Sequence, residues 1–409
     1  MHHLRLNKKF LATAFVCFMP VSLTHANGFR VPEISVAGTA TANALVANTE
    51  ELGAVAYNPA MISFHEGKNV MLGFNNVSYD HAVTPDGGTR TEGTGESSFL
   101  IPNFLVSTLG DNGIGFALLV NSPFGLETKY PDETFPAFAG ALDVLEPEIS
   151  RIKMVNINPN ISYKIDENSS VAFGLDFYDV IDLTFNTQNI KINGSGNGVG
   201  FNIGYIHKYD NFNLGVSYRS GVTTNLKGTI DYRGAGSSVL GVEAQLRFPS
   251  MLQFGVQFHP IENLGIEFDV EHTGWSSFDR ISIDNSTGNP APITSENNWK
   301  NTLTYRLGFT YKITSGTKLL FGYSYDETPQ PDEYFSARVP DADRQLFSIG
   351  ASHQFSSWKL EYAYMYVTVD DRVINSTTAP GAEPNGTLAY NGKYESEVNL
   401  VGLSISTTF

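Results

Sequence analysis

The chain has no long hydrophobic run. After its first residues, no apolar stretch approaches the ~18 to 20 residues that a membrane-spanning helix needs. A helical transporter or channel is therefore excluded. Cysteine is nearly absent, with one residue in 409, Cys17. Positive charge is scarce: 26 Lys and Arg stand against 42 Asp and Glu. With no clustered basic face there is no counterion release to drive nucleic-acid binding. No glycine loop followed by Lys cradles a phosphate, and no two histidines have metal-type His-x-x-x-His spacing. Asp341-x-Asp343 has too few oxygens for an EF-type calcium loop. No cofactor and no metal is expected. None of these absences excludes a membrane β-barrel, whose strands are only half apolar.

The first residues read as a secretion signal over 1–26. Arg5, Lys8 and Lys9 form a charged start, Phe10 to Met19 is a short apolar stretch, and Thr24-His25-Ala26 is a small-residue cleavage site. Cleavage removes Cys17 and three basic residues from a chain of charge -16, leaving -19. An exported chain of this size without disulfides needs a large core or a closed sheet.

Residues 27–67 are rich in Gly, Ala, Ser, Thr and Asn, with weak helical patterning from Ala40 to Leu52 and a turn at Asn58-Pro59. From Lys68 to Phe409 the pattern changes to period two. Leu303, Tyr305, Leu307 and Phe309 alternate with Thr304, Arg306, Gly308 and Thr310. Leu264, Ile266, Phe268 and Val270 alternate with Gly265, Glu267, Asp269 and Glu271. The apolar faces are wide, aromatic and repeated along the chain, and the polar faces are too charged and glycine-rich for a sandwich core. Lipid outside and a polar lumen inside fit both faces. Tight turns at 111–113, 166–169, 209–211, 262–263, 315–316 and 356–357 alternate with longer links at 121–150, 227–243, 279–298, 327–343 and 371–391. This predicts an all-β, antiparallel transmembrane barrel of about 14 strands. The last strand puts Val401, Leu403, Ile405 and Phe409 on one face. It resembles the C-terminal strand by which the barrel assembly machinery recognises outer-membrane proteins.

The link 121–150 predicts an amphipathic helix, capped by Thr134 with Pro136 early in it. Phe135, Phe138, Leu142 and Leu145 then share one face. The face either packs on neighbouring loops or forms an apolar groove. Asp176, Glu267, Asp269, Glu271, Arg219, Arg306 and Lys312 point into the lumen. They either pair across strands or hold the N-terminal segment by hydrogen bonds. Glu271-His272 would carry any hydrolase activity, although an enzyme is not expected.

Several short stretches together resemble the outer-membrane long-chain fatty acid transport proteins, whose relatives include toluene and xylene transporters. These are Asn27-Gly28-Phe29; Asn58-Pro59-Ala60; Ser122-Pro123-Phe124-Gly125 with Thr128-Lys129-Tyr130; Trp275-Ser276-Ser277-Phe278; and Thr328-Pro329 with Arg338-Val339-Pro340-Asp341. The resemblance implies a barrel closed by an N-terminal hatch at 27–67. Ligand would land in an outer apolar groove, pass to a pocket beside the hatch, and leave sideways into the membrane at an inward strand kink. Candidate kinks are Asn121-Ser122-Pro123, Pro159 and Gly198-Val199-Gly200. The outer groove is assigned to Phe124, Leu126, Phe135, Phe138, Leu142 and Leu145, and the hatch-side pocket to Phe29 and Val31. Asn58, Pro59 and Ala60 form the hatch motif. Lys129, Arg151, Arg219 and Arg306 are the candidate counter-ions for a carboxylate, which the acidic loop would otherwise repel. The expected function is passive, monomeric, cofactor-free uptake of long-chain fatty acids or related hydrophobic compounds past the lipopolysaccharide layer. The alternatives are hydrocarbon uptake and a surface-interaction barrel.

Overall fold

The structure, a computed structural model, describes residues 27–95, 98–139, 146–233, 238–285, 293–377 and 387–409. The signal segment, Leu142 and Leu145 lie outside them. No described helix is long and apolar enough to cross a membrane. The chain instead forms a closed antiparallel barrel of 14 strands.

The strands follow chain order round the wall. The first six are β1 (Lys68–Pro85), β2 (Ser98–Leu109), β3 (Ile114–Asn121, resumed at Gly125–Lys129), β4 (Pro147–Lys164), β5 (Ser169–Thr187) and β6 (Ile190–Lys208). Next come β7 (Phe212–Arg219, resumed at Val222–Tyr232), β8 (Ser238–Phe248, resumed at Met251–Ile261), β9 (Leu264–Thr273, resumed at Arg280–Asn285) and β10 (Ile293–Glu296, resumed at Thr302–Thr314). The last four are β11 (Thr317–Asp326), β12 (Arg344–Phe355), β13 (Trp358–Val369) and β14 (Gly392–Thr408). β14 pairs with β1 from Asn69↔Thr408 to Pro85↔Gly392 and closes the ring. Closure pairs the first strand with the last and so removes the two terminal edges of the sheet.

Two expected long links are mostly strand. β7 runs on to Tyr232 and β8 starts at Ser238, so 227–243 is largely a hairpin. Within 279–298 lie the ends of β9 and β10. At the same end of the barrel, Thr187 and Ile190 are joined by a tight turn. Pro159 causes no kink: β4 and β5 keep one register from Ile157↔Phe177 to Asn160↔Gly174.

The longest strands exceed what a bilayer requires. β5 has 19 residues, against about 9 to 11 for a tilted crossing. The excess marks where the outer medium begins. Low in β5, Val171, Phe173, Leu175 and Phe177 point outward and are exposed, while Ala172 and Asp176 point inward. Above Phe177 the interior turns apolar: Tyr178 and Val180 are buried inside, while Asp179 and Ile181 point out. β7 reverses at Ser220-Gly221. Leu214, Val216 and Tyr218 face out below the break; Val222, Leu226 and Ile230 face in above it, with Thr223, Asn225 and Lys227 outside. β8 reverses in the same way at Pro249-Ser250. An apolar exterior faces lipid and a polar exterior faces water. The barrel is therefore polar inside within the bilayer and apolar inside above it.

The N-terminal residues are buried against this polar lower interior. Helix α1 (Val36–Ala40) is capped by Ser35, whose hydroxyl accepts from Gly38 N–H at 3.0 Å. Two 3-10 turns follow, Leu52–Ala56 and Pro59–Phe64. Wall side chains satisfy the irregular backbone between them. Val46 N–H donates to Asp269 at 3.1 Å and Ala47 N–H to Glu267 at 2.6 Å. Asn75 donates to Glu33 O at 2.7 Å and Asn213 to Ala47 O at 3.2 Å. The approach is close enough to require glycine in the wall: a Cβ on Gly322 would lie 2.1 Å from the Thr41 carbonyl carbon.

Candidate functional site

The apolar upper interior is a packed aromatic cluster, here called the chamber, beside the N-terminal segment. Phe29 is at its centre, 3 % exposed. Its ring centroid lies 4.8 Å from Trp275, 5.3 Å from Phe278, 5.7 Å from Trp299 and 6.0 Å from Phe124. Leu226, Leu246, Phe248 and Tyr178 extend the walls. Each element delivers its aromatic for a local reason. Gly28 has φ +60, and a Cβ there would meet Trp299 at 2.6 Å, so only glycine lets the chain turn beneath the indoles. Trp275–Ser277 is a 3-10 turn in the gap between the two parts of β9, and the Trp275 N–H donates to Asn27 Oδ1 at 3.2 Å. Gly28 N–H donates to Asp341 at 3.0 Å, and Thr328 also donates to that carboxylate. Stretches singled out at 27–29, 275–278, 328 and 341, far apart in sequence, thus meet at one point.

Below the chamber lies a layer of fixed charge. Arg30 pairs with Glu271, which also accepts from Arg306 at 3.1 Å, Gln253 at 2.6 Å and Thr273 at 3.0 Å. Arg219 pairs with Asp176, which accepts from Asn156 at 2.8 Å and Asn202 at 3.0 Å. These charges are buried, so their pairing offsets a desolvation cost more than it adds stability. Lumen groups both pair across strands and hold the N-terminal segment, as at Lys312–Glu50, 2.8 Å.

The wall beside the chamber is incomplete. β2 and β3 pair only up to Phe104↔Val120. From Ser98 to Asn103, β2 has only β1 as a ladder partner among the described strands. The strand opposite leaves the wall at Ser122-Pro123-Phe124 and joins the N-terminal segment: Arg30 bridges Phe124, Val31 N–H donates to Pro123 O at 2.9 Å, and Gly125 N–H donates to Phe29 O at 3.1 Å. Pro123 cannot donate to a ladder.

The residues assigned to an outer groove separate. Phe124 and Leu126 belong to the inner chamber with Phe29. Phe135 and Phe138 are 1 % and 4 % exposed and form a closed outer-loop core with Tyr130, Phe335 and Tyr390. The expected helix is, among the described residues, a single 3-10 turn, Pro136–Phe138. Thr134 does not cap it; its hydroxyl donates to Pro131 O at 2.6 Å. Glu146 accepts from Phe135 N–H at 2.8 Å instead. Residues 125–129, expected in the loop, are strand. Val31 is half-buried, with Gly125 beside it. Asn58 Oδ1 accepts from Ala60 N–H at 3.1 Å, capping the turn that Pro59 opens. Three of the four candidate counter-ions are already paired with carboxylates: Arg219, Arg306, and Arg151 with Glu127 at 2.6 Å. Lys129 is half-buried at the end of β3, opposite Ile149. His272 faces outward, away from the lumen. Sequence reasoning missed Trp299, Phe248 and Tyr178.

Residues 18–409 match the family model described as outer membrane protein transport protein (OMPP1/FadL/TodX). The chain belongs to this family. It is an outer-membrane β-barrel of a transporter family for fatty acids and other hydrophobic compounds. It is 22% identical to the long-chain fatty acid transport protein of Escherichia coli O6:H1, over 93% of this chain and 94% of that one. Its fold matches a Pseudomonas aeruginosa FadL homologue with a TM-score of 0.79 at 18% identity, covering 94% of this chain and 100% of that one. It matches the Ralstonia pickettii toluene transporter TbuX with a TM-score of 0.71 at 14% identity, covering 93% and 100%.

Proposed function

We propose that this protein carries long-chain fatty acids or related amphiphiles passively from the cell surface into the outer membrane. The reversal of interior polarity supports this reading most directly. A hydrocarbon chain in the aromatic chamber gains about 0.8 kcal/mol per buried methylene. Straight below it, the lumen is polar and filled by residues 33–64, which act as a hatch. Moving down would forfeit the gain. Moving sideways past the free stretch of β2 into the bilayer keeps the chain dry. The β3 kink at 122–124 is the exit in this reading. Tyr178 Oη and Trp299 Nε1 are buried in or beside the chamber without a hydrogen-bond partner among the described residues. They are donors available to a head group, which favours an amphiphile.

A second reading, uptake of neutral hydrocarbons, is favoured by the pairing of Arg151, Arg219 and Arg306, which leaves them little attraction for a further carboxylate. Labelled oleate separates the two. Cells lacking their own outer-membrane fatty acid transporter should take it up when they express this chain. Assembled barrel with no oleate uptake, but with uptake of toluene or alkane, would establish the second reading.

A further inference from the structure

The lipid-facing wall carries a notch of about 510 Å³, away from the β2–β3 gap. Phe173, Leu175, Val199 and Phe201 line it, with Gly200 and the Ser220-Gly221 break in β7. Its lining is apolar and it sits where the exterior changes from apolar to polar, so its surroundings are hydrocarbon rather than water.

The wall is thin here for a structural reason. β6 pairs with lower β7 up to Asn202↔Arg219 and with upper β7 only from Asn197↔Asn225. Between them the ladder lapses. Ser220 N–H donates to Phe201 O at 2.8 Å, but Phe201 N–H finds a side chain, the Ser220 hydroxyl, at 2.9 Å. A Cβ on Gly200 would lie 2.6 Å from Val222 Cγ2, and one on Gly198 would lie 2.8 Å from Val222 Cγ1. Val222 belongs to the chamber. Val222 thus lies between the chamber and Gly200 of the notch.

A backbone group stripped of its partner in lipid is costly, because no water is there to replace the bond. A barrel wall therefore opens at least cost where the ladder has already lapsed. Building on the uptake reading, we propose that the notch is a second side portal, through which the hydrocarbon chain of the cargo passes between β6 and β7 into the bilayer.

The test uses the full chain in the transporter-deficient cells, with p-benzoylphenylalanine placed at Val199 or, as a control on the same lipid-facing strand, at Ile203. Labelled oleate is supplied from outside. Val199 should capture label in excess of Ile203. The excess should disappear when Leu226→Trp, or Val222→Phe should the first variant not assemble, fills the chamber. Capture at Val199 that matches Ile203 or survives chamber filling would mean that the notch holds chains from the bilayer only, and overturns the portal. The unsubstituted protein separates the two readings: if it takes up oleate and these results fail, only the portal falls, and if it takes up none, both fall.

Discussion

Asn58 makes three bonds with one side chain. Its Oδ1 accepts from Ala60 N–H, and its Nδ2 donates to Val46 O at 2.9 Å and to Tyr205 O at 3.0 Å. The first caps a turn, the second ties the N-terminal segment to itself, and the third ties it to β6. Pro59 needs no partner for an N–H at the turn's first position. Gly204 leaves the space, since a Cβ there would lie 2.3 Å from Asn58 Oδ1. The sequence shows the cap but not the wall contact, which joins residues 147 positions apart. Tyr178 is the residue that best distinguishes the two cargo readings. A hydrogen bond to a charged group contributes about 1.5 to 3 kcal/mol. Tyr178→Phe keeps the ring and removes the hydroxyl, so oleate affinity measured by titration should fall by roughly tenfold or more, with toluene binding unchanged. Equal effects on both ligands would show that the hydroxyl does not read a head group.

At the scale of elements, period-two alternation located the strands but did not tell which face was which. Val222, Leu226 and Ile230 alternate as cleanly as Leu214, Val216 and Tyr218, yet they face the opposite way. Periodicity fixes that two faces differ; the medium on each side decides their direction. The same ambiguity made upper β7 and β8 read as a long link. Phe135 and Phe138 mislead for another reason: a spacing of three suits a 3-10 turn as well as an α-helix. Two elements also give predictions about how the N-terminal segment is held. At the end bearing the 315–316 and 356–357 turns, burial alone would raise the Glu51 carboxyl, but Lys318 and Lys359 hold it well below the usual carboxylate range. Glu51→Gln removes one of two carboxylates from each lysine, since Lys318 keeps Glu50 at 3.3 Å and Lys359 keeps Glu361 at 2.6 Å. It should lower unfolding stability by about 1.5 kcal/mol, measured by denaturant titration in detergent; a change within a few tenths would mean that Glu50 and Glu361 suffice for the lysines. In the loop 327–343, burial pushes Asp341 up to about 6 and Asp343 up to about 7. Carboxyls raised by folding stabilise it below their unfolded pKa, and that contribution is lost as pH rises through the folded value. The unfolding midpoint of Asp343→Asn should therefore exceed the parent's at about pH 8 and approach it at about pH 5. A constant difference across that range would show that Asp343 is not the group titrating.

The whole molecule combines two solvents and two interiors. In the bilayer its wall is apolar outside and polar inside; above the bilayer this reverses. A polar lumen of this kind conducts when it is empty, and the segment 27–67 makes hydrogen bonds and ion pairs with β1, β6, β7, β9, β10, β11 and β13. No single contact holds the segment, which is why short local motifs in the sequence do not show where it sits. Deleting residues 27–48 removes Phe29 from the centre of the chamber, together with α1 and the Val46 and Ala47 contacts to β9, while leaving every wall strand intact. The assembled variant should pass small ions in planar bilayers where the parent is closed, and its oleate uptake should lose saturation. A surface-interaction barrel would keep its binding after the same deletion. If the deleted barrel assembles but conducts no better than the parent, the segment is packing material and something else keeps the lumen shut.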